Sequence, residues 1–474
     1  MLSYAQSFQQ FAVEALTLKI KMDTVTSINP YTGDTLHTYT KHTSKEVDTF
    51  LRKAKERFSH WKKTSYEERE DHIKNVASEL EKNKETYAKT MTLEMGKPLS
   101  QSIAEIEKCI WLCEYYIDNA KDQLQDKIIE TYAQKSFIRY EPLGVLLAVM
   151  PWNYPFWQVF RFAIPALMAG NVAVLKHASN VFGSALNIEK VFANAGLPEG
   201  CFTTLLVGSD AIKGIIENDI VKAVTLTGSG PAGASVASLA GKNIKKSVLE
   251  LGGNNALVVF EDCDIDATIE TCVTARFQNT GQSCIAGKRL LLAESIQEEF
   301  TEKLISKVKD LKSGDPLSKD TYVGTLARED LAKDLESQVH ESLKMGAQLK
   351  LGGKRCGAYY EPTIVSEVTE DMPMFQEETF GPALSITTFS TTEEAIALSN
   401  NSKFGLGVSL FSEDLKKMET LIPQFEEGAV FINELVKSDP RLPFGGVKES
   451  GYGRELSSQG IREFVNIKTV YIKK

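Results

Sequence analysis

The sequence has no surplus of positive charge, few histidines, scattered cysteines and no long apolar run. Lys and Arg number 54 against 63 Asp and Glu, a formal net charge of -9. That balance excludes nucleic acid as the principal partner, because phosphate recognition needs a basic footprint. No stretch approaches the roughly 18 consecutive apolar residues of a bilayer span, so no membrane partner is expected. The six histidines fall in no metal-ligand or triad spacing, and no metal site is expected; His177 is read as structural. The seven cysteines stand at 109, 113, 201, 263, 272, 284 and 356. An odd, dispersed set suits a reducing compartment better than a disulfide framework and leaves at least one thiol free for chemistry. The opening segment, MLSYAQSFQQFAVEALTLKIKM, lacks a basic leader followed by an apolar core. Residues 1–21 read as an N-terminal extension outside the main fold, and the expected address is cytoplasmic.

What is present is an ordinary globular composition, 42% hydrophobic and 25% charged, in 474 residues. At about 150 residues per domain this allows roughly three domain-sized units. Residues 45–126 show helical spacing. From KSFIRYEPLGVLLAVMP (135–151) onward, short apolar strands alternate with amphipathic helices. Strands are expected near 145–150, 172–176, 203–207, 223–227, 247–251 and 256–260. This pattern implies an α/β fold with a doubly wound parallel sheet, the kind that binds nucleotides at the carboxyl ends of its strands. From Asp264 the alternation resumes as a second α/β unit. The tail FVNIKTVYI (464–472) alternates like a half-buried strand and is expected to join 135–142 in a small β appendage whose edge pairs with another subunit.

Residues 228–233 read GSGPAG, a literal G-x-G-x-x-G between a strand and a helix. Taken alone this is a dinucleotide fingerprint with Glu250 on the ribose. However, three strand–helix units precede it, whereas that fingerprint ordinarily opens the first. The surroundings are more informative. Glu250 ends a strand in VLELGGNN, Cys284 lies in FQNTGQSCIAGKR, and Asn153 stands between aromatics in MPWNYPFW. Thiol, carboxylate and side-chain amide are the three groups that thiol-based aldehyde oxidation requires. Each has a plainer reading as a buried thiol, a salt-bridged carboxylate or a turn amide.

The segments PWNYP (151–155), LK (175–176), TGS with Gly233, LELGG (249–253), GQSC (281–284), EETFGP (377–382) and PFGGVKESGYGRE (443–455) stand in this order. On these the chain resembles the NAD(P)-dependent aldehyde dehydrogenase superfamily over about residues 25–474, and within it the succinate-semialdehyde dehydrogenases. The resemblance implies a cofactor-binding domain over 22–126 and 143–251, a catalytic domain over 252–450 and an oligomerisation β appendage over 127–142 and 455–474. It implies Cys284 as nucleophile, Asn153 as oxyanion donor, and Glu250 as the base that hydrolyses a cysteine thioester. For the cofactor it implies Lys176 on the adenine ribose, Gly228, Ser229 and Gly233 at the pyrophosphate, Glu378 on the nicotinamide ribose and Phe380 beside the nicotinamide, with Trp152 also among the cofactor-binding residues.

Ser179 stands where NAD-preferring relatives carry a glutamate that repels a 2′-phosphate, so NADP or NAD is expected, with NADP favoured. For the substrate, the resemblance places Arg161 on the distal carboxylate of succinic semialdehyde or a similar short carboxylated aldehyde. Trp157 lies one turn before it. Ser438 is a second candidate donor, with Arg289 and Lys437 behind it. The alternative substrate is a cationic aldehyde such as betaine aldehyde in an aromatic cage. A coenzyme A-acylating enzyme and a catalytically retired binding or structural protein are further alternatives, disfavoured because Cys284, Glu250 and Asn153 are all present. A homodimer or homotetramer is expected.

Overall fold

The computed structural model describes residues 23–474, so the expected N-terminal extension, residues 1–21, lies outside the described residues. Three helices, Ser44–Trp61, Tyr66–Met95 and Leu99–Leu124, occupy the first part of the chain. The first two open with reciprocal capping boxes, Thr43 with Glu46 and Ser65 with Glu68. An N-terminal hairpin, Thr24–Ile28 with Thr35–Thr40, precedes them and was not foreseen from the sequence.

The strand-like stretch 135–151 holds two strands, in keeping with the separate expectations for 135–142 and 145–150. Gly144 takes φ +142° between Lys135–Pro142 and Val145–Met150, and the two halves enter different sheets. Val145–Met150 is apolar because helices cover both faces of its sheet. On one side it pairs in parallel with Val172–His177, which pairs with Phe202–Thr204; on the other lie Val221–Thr227 and then Lys246–Glu250. The chain thus winds outward, returns to the middle, and winds outward the other way. The strands that flank this reversal end at Met150 and Thr227, and the crevice of a doubly wound sheet opens there. A two-residue strand, Gly451–Tyr452, closes the edge by pairing antiparallel with Lys246–Glu250.

The strand expected at 256–260 belongs instead to a second sheet, as Asn255–Val259. In that seven-stranded sheet the order is Gln348–Leu351, Thr363–Ser366, Ala383–Phe389, Gly287–Ala293, Asn255–Val259, Val408–Phe411 and Val430–Ile432. Only Gln348–Leu351 runs antiparallel. Apolar clusters pack both faces. Val465–Ile472 pairs along its whole length with Lys135–Pro142, and Lys127–Ile128 adds a short third strand. No described helix is long and apolar enough to cross a membrane.

Candidate active site

Residues from both sheets face one cavity of about 340 Å³. Trp152, Asn153 and Gln158 reach it from the segment after Val145–Met150, and Thr227, Gly228 and Ser229 from the segment after Val221–Thr227. Cys284, Arg328, Glu378 and Phe380 close it from the second sheet. The geometry therefore brings together Cys284, Asn153, Trp152, Gly228, Ser229, Glu378 and Phe380 of the residues singled out in the sequence.

Cys284 hangs on a contorted loop. Asn279 and Thr280 both take left-handed backbone, φ 56° and 55°, and Gly281 follows at φ +72°. Such a conformation costs a β-branched residue about 1–3 kcal/mol and persists only where the surroundings over-determine it. They do so here. Asn279 Nδ2 donates to the carbonyls of Asn153 (2.9 Å) and Gln282 (3.0 Å), and its backbone N–H donates to Gln101 Oε1 (2.7 Å). The backbone N–H of Gly324 donates to Thr280 Oγ1 at 3.0 Å. A Cβ on Gly281 would lie 2.3 Å from the Gly381 carbonyl oxygen, so only glycine fits.

Asn153 is buried; two contacts orient its amide and a third holds its backbone. Its Oδ1 accepts from Gln158 Nε2 (3.1 Å) and its Nδ2 donates to the Gln282 carbonyl (3.0 Å), while its own carbonyl takes the Asn279 bond. An amide nitrogen carries two donors. The second has no acceptor among the described residues, and Asn153 is part of the cavity wall.

Burial pushes the Cys284 thiol up to about 11, against the pull of Lys288 and Arg161. The Lys288 ammonium is fully buried. It donates to the carbonyls of Gly253 (2.6 Å), Ser283 (2.8 Å) and Cys284 (2.9 Å) and pairs with Glu378 at 3.0 Å. Glu378 also accepts from the Gly253 N–H at 3.1 Å. Arg276, wholly buried, fixes the Glu378–Phe380 loop from behind by donating to the carbonyls of Ala383 (2.7 Å), Thr379 (2.9 Å) and Gly381. Phe380 meets Trp152 edge to face at 5.7 Å.

Glu250 is buried beside the cavity rather than on its wall. Neither carboxylate oxygen has a hydrogen-bond partner among the described residues. Burial, with Glu455 beside it, holds its carboxyl well above the usual carboxylate range. Arg161 is likewise buried. It is ion-paired with Glu455, lies 4.5 Å from the Phe444 ring and reaches Thr227 Oγ1 at 3.5 Å. Arg289 and Lys437 are also committed elsewhere. Arg289 is buried against the carbonyls of Asn254, Leu398 and Ser399, and Lys437 pairs with Glu434 at the surface.

Gly233 does not reach the cavity. It is buried in the helix Gly230–Lys242, where a Cβ would lie 2.6 Å from Leu251, so its role is close packing of helix on sheet. Ser229 occupies the N-cap position of that helix without a side-chain capping bond, which leaves the first-turn N–H groups open to an anion. Lys176 and Ser179 lie at the end of Val172–His177, outside the cavity, with Asp210 acting on the Lys176 ammonium. His177 is fully buried; its Nε2 pairs with the Pro155 carbonyl (3.0 Å) and its Nδ1 accepts from Ala178 N–H (2.9 Å). Burial brings it down to about 4. Trp157 and Ser438 touch, the indole N–H donating to Ser438 Oγ at 3.0 Å.

Sequence reasoning missed Lys108, Gln158, Arg328 and Glu455. Only Glu455 carried a signal, as the last residue of PFGGVKESGYGRE. The other three sit in helices or loops where their types look like solvated surface.

A thiol and an oriented amide at the carboxyl ends of a doubly wound sheet suit cysteine-based oxidation coupled to a dinucleotide. The chain belongs to the aldehyde dehydrogenase family, whose family model matches residues 19–470. It is 48% identical over 451 residues to a probable NADP(+) succinate-semialdehyde dehydrogenase of Synechocystis sp., covering 94% of this chain and 99% of that protein. It is 46% identical over 454 residues to the NADP(+) succinate-semialdehyde dehydrogenase 1 of Mycobacterium tuberculosis, covering 94% and 99%. The crystal structure of succinic semialdehyde dehydrogenase from Streptococcus pyogenes in complex with NADP+ superposes with a TM-score of 0.93 at 36% identity, over 95% of this chain and all of that one.

Proposed function

We propose that this protein oxidises succinic semialdehyde, or a similar short carboxylated aldehyde, to the carboxylate through a thioester on Cys284, with NADP as the favoured acceptor. The observation that carries this reading is the shared cavity, with Cys284 and the spare N–H of Asn153 on the wall that also holds Gly228, Ser229, Glu378 and Phe380.

The cofactor fits the residues present. Gly230 leaves open space where a side chain would stand, and at Gly228 a Cβ would meet only Leu226, at 3.5 Å; both lie at the N-terminus of a 13-residue helix that favours phosphate. Glu378 would meet the nicotinamide ribose, Trp152 and Phe380 the ring, and Lys176 with Ser179 the adenosine end. Ser179 supports NADP because a hydroxyl does not repel a 2′-phosphate. When bound, the nicotinamide supplies the two-electron acceptor for the aldehyde's hydrogen.

The chain's own groups do the rest. The Cys284 thiolate bonds to the aldehyde carbon, and the oxyanion is held by Asn153 Nδ2 and the Cys284 backbone N–H. After oxidation the acyl group remains on sulfur. Glu250 takes a proton from the water that attacks this thioester, the C–S bond breaks, and the carboxylate leaves with the thiolate restored. Arg161, Trp157 and Ser438 form the far end of the substrate pocket, where Arg161 shares its charge between Glu455 and the incoming anion. A positive pocket end disfavours betaine aldehyde.

Seven free cysteines are consistent with a cytoplasmic setting. The edge strand Val465–Ile472, with Ile467 and Tyr471 exposed, supports a homodimer or homotetramer.

The test is a reduced-cofactor absorbance assay crossing succinic semialdehyde, butanal and betaine aldehyde with NADP and NAD. Succinic semialdehyde with NADP should give the highest kcat/KM, and Cys284→Ala should abolish turnover. Undiminished turnover in that variant would overturn the mechanism.

A further inference from the structure

We propose that Lys108 is the specificity-determining cation of the substrate pocket, binding the distal carboxylate of the aldehyde together with Ser438 and beside Arg161. This inference rests on the proposed carboxylated substrate and names a residue for it outside every motif of the sequence.

Lys108 lies on the helix Leu99–Leu124, remote in sequence from both Trp157 and Ser438. Its Nζ donates to Ser438 Oγ at 2.8 Å and sits 4.3 Å from the centroid of the Trp157 ring. The same Ser438 oxygen accepts from the Trp157 indole, so ammonium, hydroxyl and indole form one closed polar cluster. An ammonium carries three donors, and Ser438 takes one.

The surrounding charges mark Lys108 as the cation without a counter-ion. Lys97 is paired with Glu105, Arg161 with Glu455 and Lys288 with Glu378. Arg276 and Arg289 are bound by carbonyls. No carboxylate lies within ion-pair distance of Lys108 Nζ among the described residues. Asp439, the acid next to Ser438 in sequence, is held by Arg441 through Nε (2.9 Å) and Nη2 (2.7 Å).

Lys108 is partly buried, and a cation partly withdrawn from water without a carboxylate partner gains from an arriving anion. Burial, then the charge of Arg161, brings the Lys108 ammonium down to about 8, while Cys109, Glu105 and Asp439 oppose the shift. At neutral pH it therefore still carries its charge. Arg161 acts electrostatically on both Lys108 and Cys284, so the reacting sulfur and this cation share one charged neighbourhood. A short aldehyde with a carboxylate at its other end matches that arrangement. The rival reading makes Lys108 a structural tether between its helix and the Ser438 loop.

The experiment compares kcat/KM for succinic semialdehyde and for butanal, an uncharged aldehyde of equal chain length, in the wild type, Lys108→Met and Lys108→Arg. In the wild type the ratio reports the substrate reading alone; no preference for the semialdehyde would sink that reading. Given a preference, Lys108→Met should reduce the ratio roughly thirtyfold or more, chiefly through KM for the semialdehyde, and Lys108→Arg should restore part of it. An unchanged ratio in Lys108→Met overturns the role of Lys108 and leaves the substrate reading standing. Two wild-type measurements need no variant. KM for succinic semialdehyde should rise above about pH 8 while that for butanal does not, and succinate should compete with the semialdehyde less strongly over the same range. Parallel behaviour of the two aldehydes with pH would likewise overturn the proposal.

Discussion

The Cys284 thiol stands at about 11 because burial disfavours its charged form more than Lys288 and Arg161 favour it. In the resting protein the side chain is therefore protonated at neutral pH, and its nucleophilicity must grow as pH rises. Alkylation of Cys284 by iodoacetamide, followed by peptide mass mapping, should accelerate roughly tenfold per pH unit between about pH 7 and pH 10. A plateau beginning near pH 7 would show that the thiolate is already formed. In the proposed mechanism Asn153 acts only where oxyanion charge develops. Asn153→Ala should thus lower kcat about a hundredfold or more with a smaller change in KM. A change confined to KM would assign the amide to ground-state binding instead. Both residues were legible in the sequence because each lies within a compact motif, Asn153 after the strand Val145–Met150 and Cys284 before the strand Gly287–Ala293. Lys108 was not, since a lysine in a helix reads as solvated face, and only the fold turns it towards Trp157 and Ser438.

Among the elements, the helix Trp157–Met168 illustrates how the site is held. It has no capping side chain of its own. Instead Glu105, from the helix Leu99–Leu124, accepts the backbone N–H groups of Phe156 (2.8 Å) and Trp157 (2.9 Å) through one oxygen and pairs with Lys97 through the other. Lys97 in turn lies 3.9 Å from the Tyr154 ring centroid. Both charged partners are 1% exposed, so removing one leaves the other stranded. Glu105→Ala should destabilise the fold by about 3–5 kcal/mol in urea denaturation, and Glu105→Gln by less because it keeps an acceptor for the N–H groups. Equal losses in the two variants would mean that the charge, and not the cap, matters. The apolar periodicity of this helix was visible in the sequence. Its capping from 51 residues upstream was not, because local pattern contains no information about which distant carboxylate will arrive.

For the whole molecule, the two sheets meet at the cavity, while the three-stranded appendage leaves Val465–Ile472 as an edge. Ile467 and Tyr471 are 60% and 56% exposed there. An edge strand with apolar side chains invites pairing with a second chain. Replacing both residues by lysine should shift the species seen in sedimentation velocity towards monomer, with the site cavity unaltered in the monomer fold. An unchanged distribution would place the interface elsewhere.

The sequence by itself determined the alternation of strands and helices, the two α/β units, and the motifs that carry the candidate thiol, amide and carboxylate. These depend on local periodicity and short spacing, which a single chain displays directly. Only the tertiary structure decided that Asn255–Val259 joins the second sheet and that Gly233 packs on Leu251. It alone decided that Arg161 has Glu455 as its partner and that Lys108 stands without one. Charge pairing and close packing join residues hundreds of positions apart, so they exist only once the chain has folded.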